Sequence, residues 1–157
     1  MVTLNLTEEQ AKKLYAYVDD DVRKLLEDAC GKKVLTDVRD RVKTYEDACA
    51  ELGRYPYNED ALMKLGLTRN DIAYQKMVVI VEALNEGWKP DVCDSNVRRW
   101  YPWFKPNGSP SSFAFHVSYY VHEYAFAGSG SRLALKDEEL AEYCGVQFID
   151  LWKEIIL

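Results

Sequence analysis

The spacing of apolar residues changes once along this chain, and that change restricts it to a mixed fold. Before Pro90 the apolar positions recur every three or four residues, whereas from Phe113 to Phe126 (FAFHVSYYVHEYAF) they recur every two. A helix repeats every 3.6 residues and a strand every two, so helices come first and strands follow. The expected class is α+β. A helical part over 1–90 precedes a part over 91–157, in which a small three-stranded antiparallel sheet is packed by a C-terminal helix. At 157 residues the whole, 1–157, is about one domain's worth of chain.

The helix boundaries are written in capping residues. Thr7-Glu8-Glu9-Gln10 has the form of a capping box, and Ala11, Leu14, Tyr15 and Val18 follow at helical spacing. A second helix is expected over Asp20–Cys30, with Val22, Leu25, Leu26 and Ala29 on one face and Gly31 as its stop. The stretch 32–40 fits neither period. Thr44 with Asp47 opens a helix that Gly53 closes, and Asn58 opens a short one that Gly66 closes. Thr68 starts a long helix with a stripe of Ala73, Met77, Ile80 and Leu84, which Gly87 and Pro90 end.

In the strand Phe113–Phe126, alternation assigns Phe113, Phe115, Val117, Tyr119 and Val121 to one side. His116, Ser118, Tyr120, His122 and Tyr124 fall on the other. Trp100–Lys105 is a neighbouring strand that Pro102 restricts to an edge or a bulge, with turn residues Asn107–Pro110 between the two. Gly128-Ser129-Gly130 forms the next turn and Arg132–Lys136 a third strand. Asp137 caps a single last helix with a stripe of Leu140, Cys144, Phe148, Leu151, Trp152 and Ile155.

Composition narrows the function classes. With 48% hydrophobic and 29% charged residues the chain is neither disordered nor fibrous. Its longest uncharged apolar run, Met77 to Val81, is far shorter than the roughly 20 residues of a membrane span. Glu8 and Glu9 precede any basic residue, so a secretory leader is not expected and the expected location is the cytoplasm. The four cysteines lack a CxxC or a nearby His pair, so no zinc site or other cofactor is expected. Cys30, Cys49 and Cys144 fall in helices, as small buried hydrophobes do.

The net charge of −6 argues against a duplex-DNA binder, yet the segment 97–136 carries five basic residues, Arg98, Arg99, Lys105, Arg132 and Lys136, against the single acid Glu123. Half of the aromatic residues lie in the same stretch. Rings interleaved with cations on a sheet can stack the bases of a single strand or anchor another protein. The candidate binding residues are Arg98, Arg99, Trp100, Tyr101, Trp103, Lys105, Tyr120, His122, Tyr124 and Arg132. The same rings also suit a buried strand face, and no RNP-type motif accompanies them.

Other constellations carry less. His116 and His122 sit on one side of a strand but about 20 Å apart, too far to share an ion. Asp19-Asp20-Asp21 lacks the spaced ligands and glycine of a calcium loop. Residues 60–77 have a helix-turn-helix outline with Arg69, Asn70, Gln75 and Lys76 on the second helix, an outline common to helical proteins. No nucleophile, base and oxyanion donor stand together, so an enzyme ranks third among the readings.

The ordered series ALNEGWKP (83–90), YPWF (101–104), GSRLALK (130–136), ELAEY (139–143) and QFIDLW (147–152) resembles a family of small uncharacterised proteins from phages and prophages of gut anaerobic bacteria, over about Lys43–Leu157. The resemblance implies a phage-associated, intracellular origin and brings no activity, cofactor or catalytic residue. The expected function is a non-catalytic protein-interaction module that uses an aromatic sheet face toward a protein partner or a second copy. The alternative is single-stranded DNA or RNA binding through segment 97–136. A membrane is not an expected partner.

Overall fold

The computed structural model describes residues 5–91, 93–94, 96–106, 113–121 and 132–157. The chain forms two compact units, the first ending at Arg41 and the second beginning at Val42. No helix among the described residues is long and apolar enough to cross a membrane.

The first unit is four helices: α1 (Glu8–Tyr17), α2 (Asp20–Cys30), α3 (Lys32–Leu35) and α4 (Val38–Arg41). The box expected at Thr7 forms, with the Thr7 amide donating to Gln10 Oε1 at 2.9 Å and the Gln10 amide to Thr7 Oγ1 at 3.3 Å. Asp19 caps α2 by accepting from the Val22 amide at 3.0 Å. The stretch that fitted neither period resolves into the one-turn helices α3 and α4, too short for periodicity to register. Between them the Arg39 side chain forks onto the Asp37 carboxylate at 2.9 and 2.7 Å. Ala11, Leu35 and Val38 are buried. Leu25, expected on an inward face, is exposed, and so is Cys30 at the end of α2, which corrects its reading as a buried thiol.

The second unit holds α5 (Tyr45–Glu51), α6 (Glu59–Lys64), α7 (Arg69–Leu84), β1 (Arg99–Pro106), β2 (Phe113–Val121), α8 (Glu138–Gln147) and α9 (Ile149–Ile156). Thr44 forms the expected box with Asp47, and Thr68, expected to start its helix, forms one with Asp71. Helix α7 supplies the centre of the core through Met77, Ile80 and Leu84, all fully buried. Around it lie Ala48 and Cys49 of α5, Ala141 and Cys144 of α8, and Trp152 of α9. Full burial pushes the Cys144 thiol up to about 12, so this sulfur stays protonated beside Met77, 3.8 Å away. Two side chains of α8 clip the start of this unit. Tyr143 donates to the Val42 carbonyl and Gln147 to the Lys43 carbonyl, each at 2.8 Å.

Two expectations need correction. Among the described residues the sheet has two strands rather than three: Arg132 and Leu133 form a short 3-10 turn, and Leu135 makes one antiparallel bridge to Trp100. The other edge of this strap is taken up by a side chain. Buried Asn85, just past α7, donates to the Ala134 carbonyl at 2.8 Å and accepts from the Lys136 amide at 3.0 Å. Between the 3-10 turn and the cap at Asp137 only one strand-like residue pair fits. The C-terminal helix is likewise two helices, broken at Phe148 (φ −110, ψ 30). Cys144 and Trp152, on either side of the break, both enter the core, and the Trp152 indole N–H donates to the Cys144 carbonyl at 3.3 Å.

Candidate interaction surface

Strands β1 and β2 pair antiparallel in a register that places Trp100 opposite Tyr120, Tyr101 opposite Tyr119, Pro102 opposite Ser118 and Trp103 opposite Val117. The next pair is Phe104 with Phe115, so His116 is an extra residue in β2, a β-bulge. Because side chains alternate between faces, one extra residue exchanges the faces for everything beyond it.

That exchange overturns the strict alternation expected from the sequence. Phe113 and Phe115 share a face with Ser118 and Tyr120, not with Val117 and Tyr119. Helix α8 covers this inner face, where Phe113, Ser118 and Pro102 are buried. Pro102 is tolerated in mid-strand because β1 alternates its amide directions. Trp100 bonds to Leu135, so position 102 also points to that side, where the bridge has already ended. Contact is close at Gly145 of α8, where a Cβ would lie 2.4 Å from Phe115 Cδ2 and 2.8 Å from Pro102 Cβ.

The outer face carries what the bulge has turned outward. Trp103 is 53% exposed, Tyr119 59% and Val117 39%. The Trp103 and Tyr119 rings meet edge to face with centroids 6.3 Å apart. Lys105 and Ala114 are exposed on the same face, His116 is exposed at the bulge, and Tyr101 is half-buried. A series of ring contacts leads from Tyr119 to Tyr120 (5.7 Å) and from Tyr120 to Trp100 (4.9 Å). It ends where the Arg98 guanidinium lies 4.7 Å from the Tyr120 centroid.

The ten residues predicted from sequence therefore do not share one platform. Trp103, Lys105 and Tyr101 lie on the outer face, while Trp100 and Tyr120 belong to the helix-covered side by alternation and are half-buried. Arg98 is exposed, but Arg99 is only 2% exposed. Arg132 is exposed in the 3-10 turn beside the end of α7, apart from the outer face. His122 and Tyr124 lie outside the described residues, as do the turns expected at 107–110 and 128–130. Sequence reasoning missed Val117 and Tyr119. With tyrosines at both 119 and 120, an aromatic falls on either face in either register, so no pattern signalled the bulge.

The helix-turn-helix outline is also filled differently. Asn70 donates to the Glu154 and Ile155 carbonyls at 3.0 and 2.8 Å, closing the end of α9. Lys76 pairs with Glu59 and lies 5.2 Å from the Tyr45 ring centroid. Among the described residues no three His, Cys, Asp or Glu side chains cluster as a metal site would require. No family model, curated protein or solved structure matches the chain.

Proposed function

We propose that this chain is a non-catalytic interaction protein of phage type that binds another protein, or a second copy of itself, through the outer face of β1 and β2. The observation that carries the reading is the exposure of Trp103, Val117 and Tyr119 side by side, opposite the face buried under α8. Exposed tryptophan and tyrosine at the centre of a patch are the residue types that dominate binding energy when a partner desolvates them. A sheet of this size needs only one buried face, and α8 already supplies it.

Charge supports a protein partner over a nucleic acid. Of the four basic residues in the predicted set, Lys105 is the one exposed on the outer face with Trp103, since Arg99, on that side by alternation, is buried; a single strand needs cations along its path as well as rings. The ring series ending at Arg98 is the feature that favours single-stranded nucleic acid as a second reading.

The double variant Trp103→Ala/Tyr119→Ala tests the reading. Circular dichroism should stay unchanged while an association seen by light scattering or pull-down is lost. A folded double variant that keeps every association rules out this face. Tryptophan quenching by short single-stranded DNA or RNA that saturates and weakens with salt would move the assignment to nucleic acid.

A further inference from the structure

The end of α7 builds a second feature, on residues the proposed interaction does not use. Asn85 keeps helical backbone, but Glu86 (φ 48) and Gly87 (φ 88) are both left-handed, so the chain reverses. A non-glycine residue in that region is uncommon. Here Lys136 holds the Glu86 carboxylate at 3.0 Å. The Trp88 amide then donates to the Asn85 carbonyl at 2.9 Å, and Trp88-Lys89-Pro90 fold back beside the last turns of α7. On the other side, the Asn85 side chain pins the strap that carries Arg132 and Ala134.

Between these walls lies a cleft of about 350 Å³. That is within the range of small-molecule sites, roughly 300–1,000 Å³. Val78, Val81 and Trp88 give it an apolar lining, and its charged groups among the described residues are Glu82, Lys89 and Arg132. Glu82 is already neutralised, since both of its oxygens accept from the Arg54 guanidinium at 2.8 Å. Lys89 and Arg132 are exposed and leave the cleft with an excess of positive charge, against the −6 of the whole chain. A flat ring in reach of an indole, with cations at its edge, is how proteins hold an aromatic anion, and a guanidinium matches a carboxylate or phosphate in two-pronged geometry.

We propose that this cleft binds a small organic anion, its flat apolar body against Val78, Val81 and Trp88 and its carboxylate or phosphate group on Lys89 and Arg132. The full chain would be titrated by calorimetry with 2-naphthoate, 1-naphthyl phosphate and the neutral 2-naphthalenemethanol. One anion should saturate a single site, with the alcohol about tenfold weaker or worse. Lys89→Gln and Arg132→Gln, both at exposed positions and checked for fold by circular dichroism, should each weaken the anion several-fold. Trp103→Ala/Tyr119→Ala should leave it unchanged, which separates this site from the outer face. Tighter naphthoate assigns a carboxylate ligand, and tighter naphthyl phosphate a phosphate ester. Equal binding of the alcohol, indifference to both charge substitutions in folded protein, or no saturation by either anion overturns the proposal.

Discussion

Gly145 of α8 and Phe115 of β2 meet so closely that a single methyl group would not fit between them: a Cβ on Gly145 would lie 2.4 Å from Cδ2 of the phenylalanine ring. Gly145→Ala should therefore destabilise the protein despite the better helix propensity of alanine. Overpacking costs about 1–3 kcal/mol and the propensity gain offsets at most about 1, so a fall of roughly 2–6 °C in Tm is expected. In a Phe115→Ala background the same substitution should cost less, with part of the penalty remaining because a Cβ would still lie 2.8 Å from Pro102 Cβ. Additive effects of the two changes would show that the close approach is not what constrains this glycine.

Asn85 should matter more than any other polar side chain near the strap. Asn85→Ala removes two hydrogen bonds and leaves the Ala134 carbonyl and the Lys136 amide without the partners that hold them. The expected cost is about 2–4 kcal/mol in urea unfolding, and amide exchange at Leu135 should accelerate with it. Unchanged exchange at Leu135 would mean that the Trp100 bridge alone secures the strap.

The tryptophans should separate sharply. Trp152 is buried against Phe104, with ring centroids 5.4 Å apart, and Trp152→Ala should cost about 3–5 kcal/mol. Trp103→Ala, on the outer face, should change stability by no more than about 0.5 kcal/mol. A large loss of stability at Trp103 would show that this ring supports the fold.

Thiol chemistry should sort the cysteines in two pairs. Cys30 and Cys93 are exposed and should react with Ellman's reagent within minutes. Cys49 and Cys144 are buried and should react only on unfolding, Cys144 most slowly because burial raises its thiol to about 12. Four thiols reacting at one rate would contradict the burial described for the core.

Acid should destabilise the second unit through particular carboxylates. The Thr68 hydroxyl beside Asp71 and the Arg54 guanidinium beside Glu82 hold both carboxyls below their usual values. A lowered folded pKa means that the stability contribution is full above the unfolded value near 4 and fades as pH falls through the folded one. Tm should be level above about pH 5 and decline below about pH 4, with a shallower decline in Asp71→Asn. Both groups lie near the surface, so the effect on Tm should be small and should shrink with salt. A Tm that rises on acidification would reverse the sign.

The helices were legible because their ends are local chemistry. Thr7, Thr44 and Thr68 each face a side chain three residues on that can answer them, and nothing distant is needed to form those boxes. The inward stripe of α7 was legible for the same reason. What escaped the sequence depends on contacts between distant residues. The third strand shrank to one bridge because Arg132 and Leu133 turn in a 3-10 helix and Pro102, which faces that edge, has no amide to donate, while Asn85, some fifty residues earlier, holds the strap's other edge. The last helix breaks at Phe148 although Cys144, Phe148 and Trp152 keep the spacing of one stripe, so the stripe gave no sign of the break. In the candidate surface, Trp103 and Lys105 were foreseen, while Tyr120 and Arg99 were turned or drawn inward. Tyr119 was missed because an inserted residue leaves no mark on composition.

The bulge at His116 gives the outer patch a spare residue. Without His116 the order would run Phe115 inward, Val117 outward, Ser118 inward and Tyr119 outward, so plain alternation would yield the same two faces. Deletion of this one residue should therefore leave Trp103, Val117 and Tyr119 side by side, whereas a substitution at Trp103 or Tyr119 removes the patch itself. Strand length at this point carries one codon of slack, and selection on the face acts on side-chain chemistry.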